Sequence, residues 1–231
     1  MRNIRPEFEE KGFLVVPNLV DNLECSDIIK NAYEFHKKQN FESYSPIMQP
    51  HRKNKKNIFF KIMKKKKILD IVKILIGEKV MGLQSQFFFM PSNTPGFQPH
   101  QDDYYVRSED FNGFVSCWIA LTNVNKKNGC LKIWPSSHNR GIFKVRTIKN
   151  ESELNTDKNG SKISSVIPKE LSITNDVEIK KGAGIFLHSR ILHSSYRNST
   201  DDFRYAILYT YIREKLKFTP GFNAKRVAVN L

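Results

Sequence analysis

The chain has 231 residues, of which 39% are hydrophobic and 12% aromatic, so it can bury a sizeable core and is not disordered. No apolar run reaches the roughly 20 residues of a membrane span, and residues 1–7 lack the apolar stretch of a secretory signal. A net charge of +15 favours anionic ligands, whereas three scattered cysteines predict no disulfide framework and a cytoplasmic location.

Helices are predicted in the N-terminal third of the chain. Residues 8–13 are predicted to form a short helix that ends at Gly12 and leads into a short β run. Residues 21–39 carry apolar side chains at helical spacing behind an Asp or Asn cap, and residues 59–76 have a similar spacing. The polar residues 40–57 between them are predicted to form a loop.

From residue 80 onward the pattern changes to short β-rich runs separated by turn signals. The predicted strands are 83–90, 115–121, 131–134, 177–187 and 205–212. Residues 144–176 are weakly patterned and are predicted to form a long loop. Helices followed by many strands predict a mainly β fold with helices on one side of a barrel or sandwich. We therefore expect one domain, with a helical support at 1–79, a β core at 80–212 and a tail at 213–231.

A basic cluster lies within residues 52–67. Its lysines are Lys53, Lys55, Lys56, Lys61, Lys64, Lys65, Lys66 and Lys67. One interpretation is a surface that binds nucleic acid, phosphate esters or a carrier-bound acyl chain, and the other is a solvated helix face in a lysine-rich chain. Aromatic residues do not alternate with the basic ones as they do in proteins that read single strands, so nucleic acid is the less favoured partner.

Two histidines, a carboxylate and an arginine form the most informative pattern. His100 and Asp102 lie two residues apart, so both would point inward from an extended strand. His193 follows about ninety residues later, and Arg204 lies eleven residues beyond it. Two imidazoles and one carboxylate on one face of an iron ion are the ligands of non-haem Fe(II) oxygenases. The later arginine offers the planar two-point contact that would hold the far carboxylate of a 2-oxoacid cosubstrate.

Other residues could replace members of this set. His188 is an alternative to His193 as the distal ligand, although the arginine spacing and the Ser195 that follows favour His193. Asp103 could replace Asp102, but in a strand it would face the opposite side. Of the remaining histidines, His138 is expected to be a structural hydrogen-bonding residue, and His36 and His51 are expected to be solvated.

Several motifs occur in order between residues 84 and 212. They are His100-Gln101-Asp102-Asp103-Tyr104-Tyr105, Trp118-Ile119-Ala120-Leu121-Thr122-Asn123-Val124, Asn128-Gly129-Cys130-Leu131, Trp134-Pro135-Ser136-Ser137-His138, and His193-Ser194-Ser195 followed by Arg204-Tyr205-Ala206. Together they resemble the phytanoyl-CoA dioxygenase family of Fe(II)/2-oxoglutarate oxygenases, and residues 12–17 resemble its N-terminal opening more weakly. The sequence departs from the family at Ser136, where Gly is usual, and at residues 182–184, where Gly-Asp is common.

The resemblance implies a double-stranded β-helix, which is a cupin-like jelly-roll barrel, with Fe(II) at its open mouth. It implies that His100, Asp102 and His193 are the metal ligands and catalytic centre, and that Arg204 binds the C5 carboxylate of 2-oxoglutarate. Further expected cosubstrate contacts are Ser195, Trp118, which could equally be core filling, and, more weakly, Gln84. The implied enzyme is a dioxygenase that consumes O2 and releases succinate and CO2. Asp102 favours hydroxylation, because related halogenases lack this carboxylate.

The substrate is less well determined by the sequence. The positive charge favours a small anionic compound or a thioester on a carrier, and the implied fold serves many substrates. The alternative function is a demethylase-like oxygenase that acts on nucleic acid through residues 52–67. A binding module with a degenerate site is disfavoured, because all four key residues are present.

Overall fold

A computed structural model describes residues 4–36, 46–148 and 163–231. Its α-helices are α1 (Arg5–Lys11), α2 (Asn22–His36), α3 (Ile58–Met63), α4 (Lys66–Ile76) and α5 (Asp102–Val106). Its strands are β1 (Phe13–Val16), β2 (Ile47–Met48), β3 (Val80–Met90), β4 (Phe114–Ala120), β5 (Leu131–Ile133), β6 (Val145–Thr147), β7 (Ile163–Ser165), β8 (Asn175–Val177), β9 (Gly184–His188), β10 (His193–Ser195) and β11 (Arg204–Arg213). Within the described ranges, no helix is long and apolar enough to cross a membrane.

Two antiparallel sheets form the β core. The larger sheet has the strand order β1-β9-β4-β11-β3-β2, and the smaller sheet has the order β10-β5-β8. Because side chains alternate along a strand, the larger sheet has two faces of different environment. Trp118, Ala206 and Phe88 of the inner face pack with Leu131 and Ile133 of the smaller sheet. The core between the sheets is therefore built from the inner faces of both.

The outer face of the larger sheet packs against the helices. Cys117, Ile207 and Phe87, each adjacent in sequence to an inner-face residue, join Ile28 of α2 and Val72 of α4 in a second apolar cluster. Burial on both faces explains why all seven residues of β4 are buried. The predicted arrangement of helices on one side of a β core is confirmed.

The helix predicted at 59–76 is two helices, so this prediction was wrong. Asn57 caps α3 by accepting a hydrogen bond from the backbone of Phe60, and the chain leaves helical geometry at Lys64 and Lys65. A continuous helix would have placed the four lysines at 64–67 on all of its sides, including the buried one. The break turns Lys65 toward Glu24 of α2, with which it forms an ion pair.

The strand predicted at 177–187 is also divided, because Gly182 turns the chain between β8 and β9 with a φ of +83°. A Cβ at Gly182 would collide with the backbone carbonyl of Val20. Two predicted loops contain regular structure where they are described. Residues 46–57 include β2, and the segment 144–176 includes β6, β7 and part of β8, with residues 149–162 outside the described ranges.

Ser136, which stands where the resemblance leads one to expect Gly, adopts the left-handed conformation that Gly favours, with φ +61° and ψ +3°. Its backbone N–H donates to the carbonyl of Lys11, and its Oγ donates to the carbonyl of Glu10. These two hydrogen bonds tie the turn to α1 and offset the cost of the strained backbone.

The C-terminal tail, residues 214–231, folds back over the β core. Val229 forms a bridge with Gly82 of β3, and Thr219 donates a backbone hydrogen bond to Val106 of α5. Apolar tail side chains, including Leu216, pack around a small cluster at one end of the larger sheet. In the described chain the tail thus covers the end of the β core near α5.

A candidate metal centre between the two sheets

Three predicted ligands meet between the two sheets. The metal-binding atoms of His100, Asp102 and His193 all lie within 4.8 Å of one another. Asp102 Oδ1 is 3.9 Å from His100 Nε2 and 4.0 Å from His193 Nε2, and the two imidazole centroids are 4.2 Å apart. These separations are too long for direct hydrogen bonds, so the three donor groups surround a gap.

Different elements bring these side chains together. His193 begins β10, and His100 pairs with it through two backbone hydrogen bonds of 2.9 and 3.0 Å. Asp102 is not on the extended strand that we predicted, because the chain is extended only as far as Gln101 and then begins helix α5. The carboxylate therefore converges on the imidazoles from the first turn of a helix rather than from the next inward position of a strand.

Hydrogen bonds behind the triad fix the orientation of its donor atoms. His100 Nδ1 lies 2.7 Å from the Gln98 carbonyl and His193 Nδ1 lies 3.1 Å from the Ile191 carbonyl. A carbonyl can only accept, so each Nδ1 carries a proton, and in the neutral imidazole Nε2 then presents its lone pair to the gap. Ser116 Oγ donates to Asp102 Oδ2 at 2.6 Å, which leaves Oδ1 directed to the same place.

The local environment also keeps His100 in the form that binds metal. Burial, and after it the neighbouring His193, lower the pKa of His100 to about 4, against the opposing effects of Asp102 and of the hydrogen bond to Gln98. His100 is therefore neutral at neutral pH, as a metal-ligating imidazole has to be. Two imidazoles held through Nδ1, together with a hydrogen-bonded carboxylate, fit a divalent iron ion.

Arg204 lies at the start of β11 on the inner face of the larger sheet. Its side chain is only 1% exposed, and its guanidinium carbon is 5.3 Å from the centre of the Trp118 ring. Arg204 Nη2 is 2.7 Å from the sulfur of Met90, the residue opposite it on β3. The structure thus places two of the residues predicted to contact the cosubstrate against each other in the core between the sheets.

The two other predicted cosubstrate contacts lie in different surroundings. Ser195 shares β10 with His193, and its Oγ accepts a hydrogen bond from the backbone of Phe97 at 2.8 Å. Gln84 lies on β3, six positions from Met90 and therefore far along the sheet from Arg204. Gln84 Oε1 accepts a hydrogen bond from Arg226 at 2.7 Å. The roles of both residues in binding a cosubstrate stay predictions.

The alternative ligands are engaged elsewhere. Asp103 is buried, pairs with Arg190 Nε at 2.8 Å and accepts the backbone N–H of Ser108. His188 Nε2 is 3.0 Å from the Asn112 side chain, and its Nδ1 accepts the backbone N–H of Arg190. Neither joins the His100 cluster, which is the one candidate metal site that the described residues form.

The predictions for the other histidines were partly correct. His138 is the predicted structural residue, since its Nε2 donates to the Glu9 carbonyl at 3.0 Å. His51 was predicted to be solvated, and this was wrong. It is 1% exposed and lies 2.6 Å from Ser85 Oγ, because the chain around it docks on β3. The side chain of His36 lies outside the described residues.

Three residues that support the site were missed. Ser116 holds Asp102, and alternation along β4 could have revealed it, since Ser116 lies two residues before Trp118. Gln101 lies between the ligands His100 and Asp102, and its side chain forms hydrogen bonds with three backbone groups of other segments. These bonds anchor the turn into α5. Arg226 comes from the tail, where no sequence pattern indicated a site.

Comparison with known proteins places the chain in a family. A model of the family described as Phytanoyl-CoA dioxygenase (PhyH) matches residues 8–206. The chain is 27% identical over 211 residues to phytanoyl-CoA dioxygenase domain-containing protein 1 of Danio rerio, covering 88% of this chain and 61% of that protein. It is 28% identical over 229 residues to the peroxisomal phytanoyl-CoA dioxygenase of Mus musculus, covering 88% and 65%. The chain thus spans somewhat less than two thirds of the length of these relatives.

Solved structures share the fold. The epimerase SnoN from nogalamycin biosynthesis, in complex with Fe3+, alpha ketoglutarate and nogalamycin RO, has a TM-score of 0.75 at 16% identity over 94% of this chain and 85% of that one. EvdO2 from Micromonospora carbonacea var. aurantiaca, complexed with 2-oxoglutarate, has a TM-score of 0.72 at 15% identity over 95% and 93%. The expected mainly β, double-stranded β-helix fold with flanking helices is confirmed.

Proposed function

The chain belongs to the phytanoyl-CoA dioxygenase family, and from this we propose that it is an Fe(II)- and 2-oxoglutarate-dependent dioxygenase. The proposed reaction hydroxylates a C–H bond of a small anionic or carrier-bound substrate and releases succinate and CO2. The observation that carries the proposal is the convergence of His100, Asp102 and His193, with ligand atoms within 4.8 Å and their outer atoms already hydrogen-bonded.

In this proposal the three residues hold the ferrous ion and leave its remaining positions open. When bound, iron and 2-oxoglutarate together activate O2 for the oxidation of an unreactive C–H bond. The solved structures of SnoN with Fe3+ and alpha ketoglutarate, and of HygX from Streptomyces hygroscopicus with nickel and 2-oxoglutarate, support this choice of metal and cosubstrate.

The chain itself orients and encloses the reactants. Arg204 would hold the far carboxylate of 2-oxoglutarate, because a planar guanidinium binds a carboxylate at two points. The Trp118 ring beneath it fixes the guanidinium, and the apolar side chains around both keep water from the cosubstrate. Ser116 holds Asp102 by one oxygen and so leaves the other for the metal.

A small-molecule substrate is favoured over nucleic acid by the state of the basic cluster. Lys65 pairs with Glu24, Lys66 pairs with Asp70 at 2.8 Å, and Lys67 donates to a backbone carbonyl at 2.7 Å. Lys65 joins the start of α4 to α2, Lys66 pairs within α4, and Lys67 binds the turn before α2, so these three lysines offer fewer free charges to phosphates. A DNA or RNA binding constant that falls steeply with salt would instead support the nucleic-acid alternative.

The single-domain organisation over residues 1–231 remains our proposal, and so does a reducing, cytoplasmic setting. The latter is supported by Cys25, Cys117 and Cys130, which are buried free thiols.

An anaerobic titration with Fe(II) and 2-oxoglutarate tests the proposed function. The wild-type protein should develop the weak visible absorption of a chelated cosubstrate, and His100→Ala should abolish it. Arg204→Lys should keep the metal and weaken 2-oxoglutarate binding, because lysine retains the charge without the two-point contact. Asp102→Asn should weaken metal binding more than the adjacent Asp103→Asn.

Turnover provides the second measurement. The iron-loaded protein should release succinate above background even without a substrate, which would exclude a degenerate binding module. A folded wild-type protein that neither develops the absorption band nor releases succinate would contradict the proposed function.

A further inference from the structure

The tail inserts a guanidinium beside the candidate metal centre. Arg226 is 9% exposed, and its Nε donates to Gln84 Oε1 on the inner face of β3 at 2.7 Å. The tail is held nearby from outside, since Arg52 Nη1 donates to the Lys225 carbonyl at 2.7 Å. Burial of an arginine on a segment without regular structure requires specific partners, because a charged group loses its hydration there.

The position of Arg226 follows from the register of the larger sheet. Gln84 lies opposite Thr210 of β11, and Thr210 lies opposite Ser116 of β4. Ser116 in turn holds Asp102. Arg226 Nη1 also contacts the Tyr105 carbonyl at 3.3 Å on α5, the helix that begins with Asp102. The guanidinium therefore lies at the same position along the strands as Asp102, on the side of the candidate metal centre that faces the tail.

One edge of this guanidinium has no protein partner among the residues that the structure describes. Nε binds Gln84, and Nη1 lies 3.3–3.4 Å from the carbonyls of Tyr105, Thr219 and Pro220. The hydrogen bonds of the Arg226 guanidinium to the described residues use Nε and Nη1 only, so its Nη2 edge is left without a hydrogen-bond partner in this part of the chain. Burial lowers the pKa of Arg226 while Asp102 raises it, and the side chain remains a cation at neutral pH.

Arg226 is distinct from the arginine assigned to the cosubstrate. Arg204 and Thr210 are six residues apart on β11, which corresponds to about 20 Å along an extended strand. A five-carbon dicarboxylate bound between Arg204 and the metal would leave Arg226 for a second anion. The family model matches residues 8–206, so Arg226 lies beyond the residues that this model covers.

We propose that Arg226 is a substrate-binding residue that holds an oxyanion group of the substrate, a carboxylate or a phosphate, through its Nη2 edge. This inference rests on the proposed function and gives it a substrate class: a compact acid whose anionic group lies toward the tail and whose reacting carbon lies toward the triad. Gln84 is a positioning residue, because its amide oxygen fixes the plane of the guanidinium.

Calorimetric titration of the full chain with inorganic phosphate and, separately, with acetate tests the inference. Both titrations use anaerobic protein that already holds Fe(II) and 2-oxoglutarate. Wild-type protein should bind at least one of these anions saturably, and Arg226→Met should weaken that binding at least tenfold. Arg226→Lys should be intermediate, because lysine keeps the charge and loses the planar edge. The anion that binds more tightly distinguishes a phosphate-bearing from a carboxylate-bearing substrate.

Arg52→Ala is the matched control, since it removes an arginine that contacts the tail from the exposed side. It should leave anion affinity within twofold of wild type. Gln84→Leu should weaken anion binding while keeping Arg226. Thermal unfolding of each variant shows whether it is folded.

Two results would overturn the inference. Anion affinity unchanged in a folded Arg226→Met variant would show that Arg226 only clamps the tail, and an equal loss in Arg52→Ala would show that tail docking, rather than the guanidinium, matters. Failure of the proposed function has a different signature, because then the wild-type protein would not bind 2-oxoglutarate. Arg204→Met separates the two sites, since it should lose 2-oxoglutarate and keep the phosphate or acetate isotherm in iron-loaded protein.

Discussion

Replacing Ser116 with alanine tests whether the candidate metal centre depends on the hydrogen bond behind Asp102. Ser116 is 0% exposed, and its Oγ donates to Asp102 Oδ2 at 2.6 Å. A hydrogen bond to a charged group contributes about 1.5–3 kcal/mol, and losing such an outer partner weakens metal binding about 10- to 100-fold. We expect Ser116→Ala to weaken Fe(II) binding within this range, since Asp102 would then be free to rotate away from the imidazoles.

The assay is anaerobic competition for Fe(II) against a chelator of known affinity. Thr210→Val is the matched control, because Thr210 Oγ1 lies 3.4 Å from Ser116 Oγ on the neighbouring strand and reaches Asp102 only through it. We expect Thr210→Val to change Fe(II) affinity less than threefold. Urea unfolding of both variants separates an effect on the site from an effect on the fold.

Two results would refute the reasoning about Ser116. Wild-type Fe(II) affinity in Ser116→Ala would mean that α5 alone orients Asp102. An equal loss in both variants would mean that the general polarity of the inner face matters, rather than the specific hydrogen bond.

Further predictions concern stability and the adjacent acid. Burial lowers the pKa of His51 to about 4 and that of His188 to about 3, so each stays neutral when folded and gains a proton when unfolded below pH 6.5. Their contribution to stability is complete above pH 6.5 and is lost as pH falls toward 4. Between pH 7.5 and pH 5.5, the free energy of urea unfolding should fall by about 1.4 kcal/mol per histidine, and His51→Gln should make this fall smaller. A free energy of unfolding that does not depend on pH would contradict the prediction. Asp103→Asn breaks the buried pair with Arg190, and we expect it to lower the free energy of unfolding by about 3 kcal/mol. Its Fe(II) affinity should change less than threefold, and a large loss of Fe(II) affinity would instead make Asp103 a ligand. Gly96→Ala should destabilise by about 1–3 kcal/mol in thermal unfolding, because its Cβ would overlap a backbone carbonyl of β10, and an unchanged melting temperature would show that the loop can move aside.

The sequence predicted which three side chains converge better than it predicted the local structure that brings them together. His100 and Asp102 are close in the chain, and the register of a β core brings His193 to His100, so residue type and spacing, together with the family resemblance, identified the cluster. The conformation of α5 was missed because it is only five residues long and contains Tyr104, Tyr105 and Val106, which favour strands. Tertiary contacts, rather than local preference, determine such a short helix.

Other misses arise from contacts between residues far apart in the chain. His51 lies in a polar stretch, and its burial depends on Ser85, which is 34 residues away. The helix break at Lys64 and Lys65 is hidden in a count of apolar positions, and it becomes evident only when Glu24 of α2 is seen to pair with Lys65. No periodicity within the chain encodes such pairings, so sequence patterns identify the elements and leave their docking undetermined.

Along β11, the side chains on the inner face of the larger sheet change from apolar to polar, and this change divides the face into two regions with different roles. Arg204 is followed on the same face by Ala206 and Leu208, which belong to or pack against the apolar core. Thr210 comes next, and it lies beside Ser116, the residue that holds Asp102. The apolar end suits a cosubstrate that must be kept from water, whereas the polar end receives Arg226 from the tail. If the β core handles the cosubstrate and the tail selects the substrate, exchanging the tail should change which acid is oxidised and leave 2-oxoglutarate affinity unchanged, because specificity on a rigid scaffold resides in the segments that cover it.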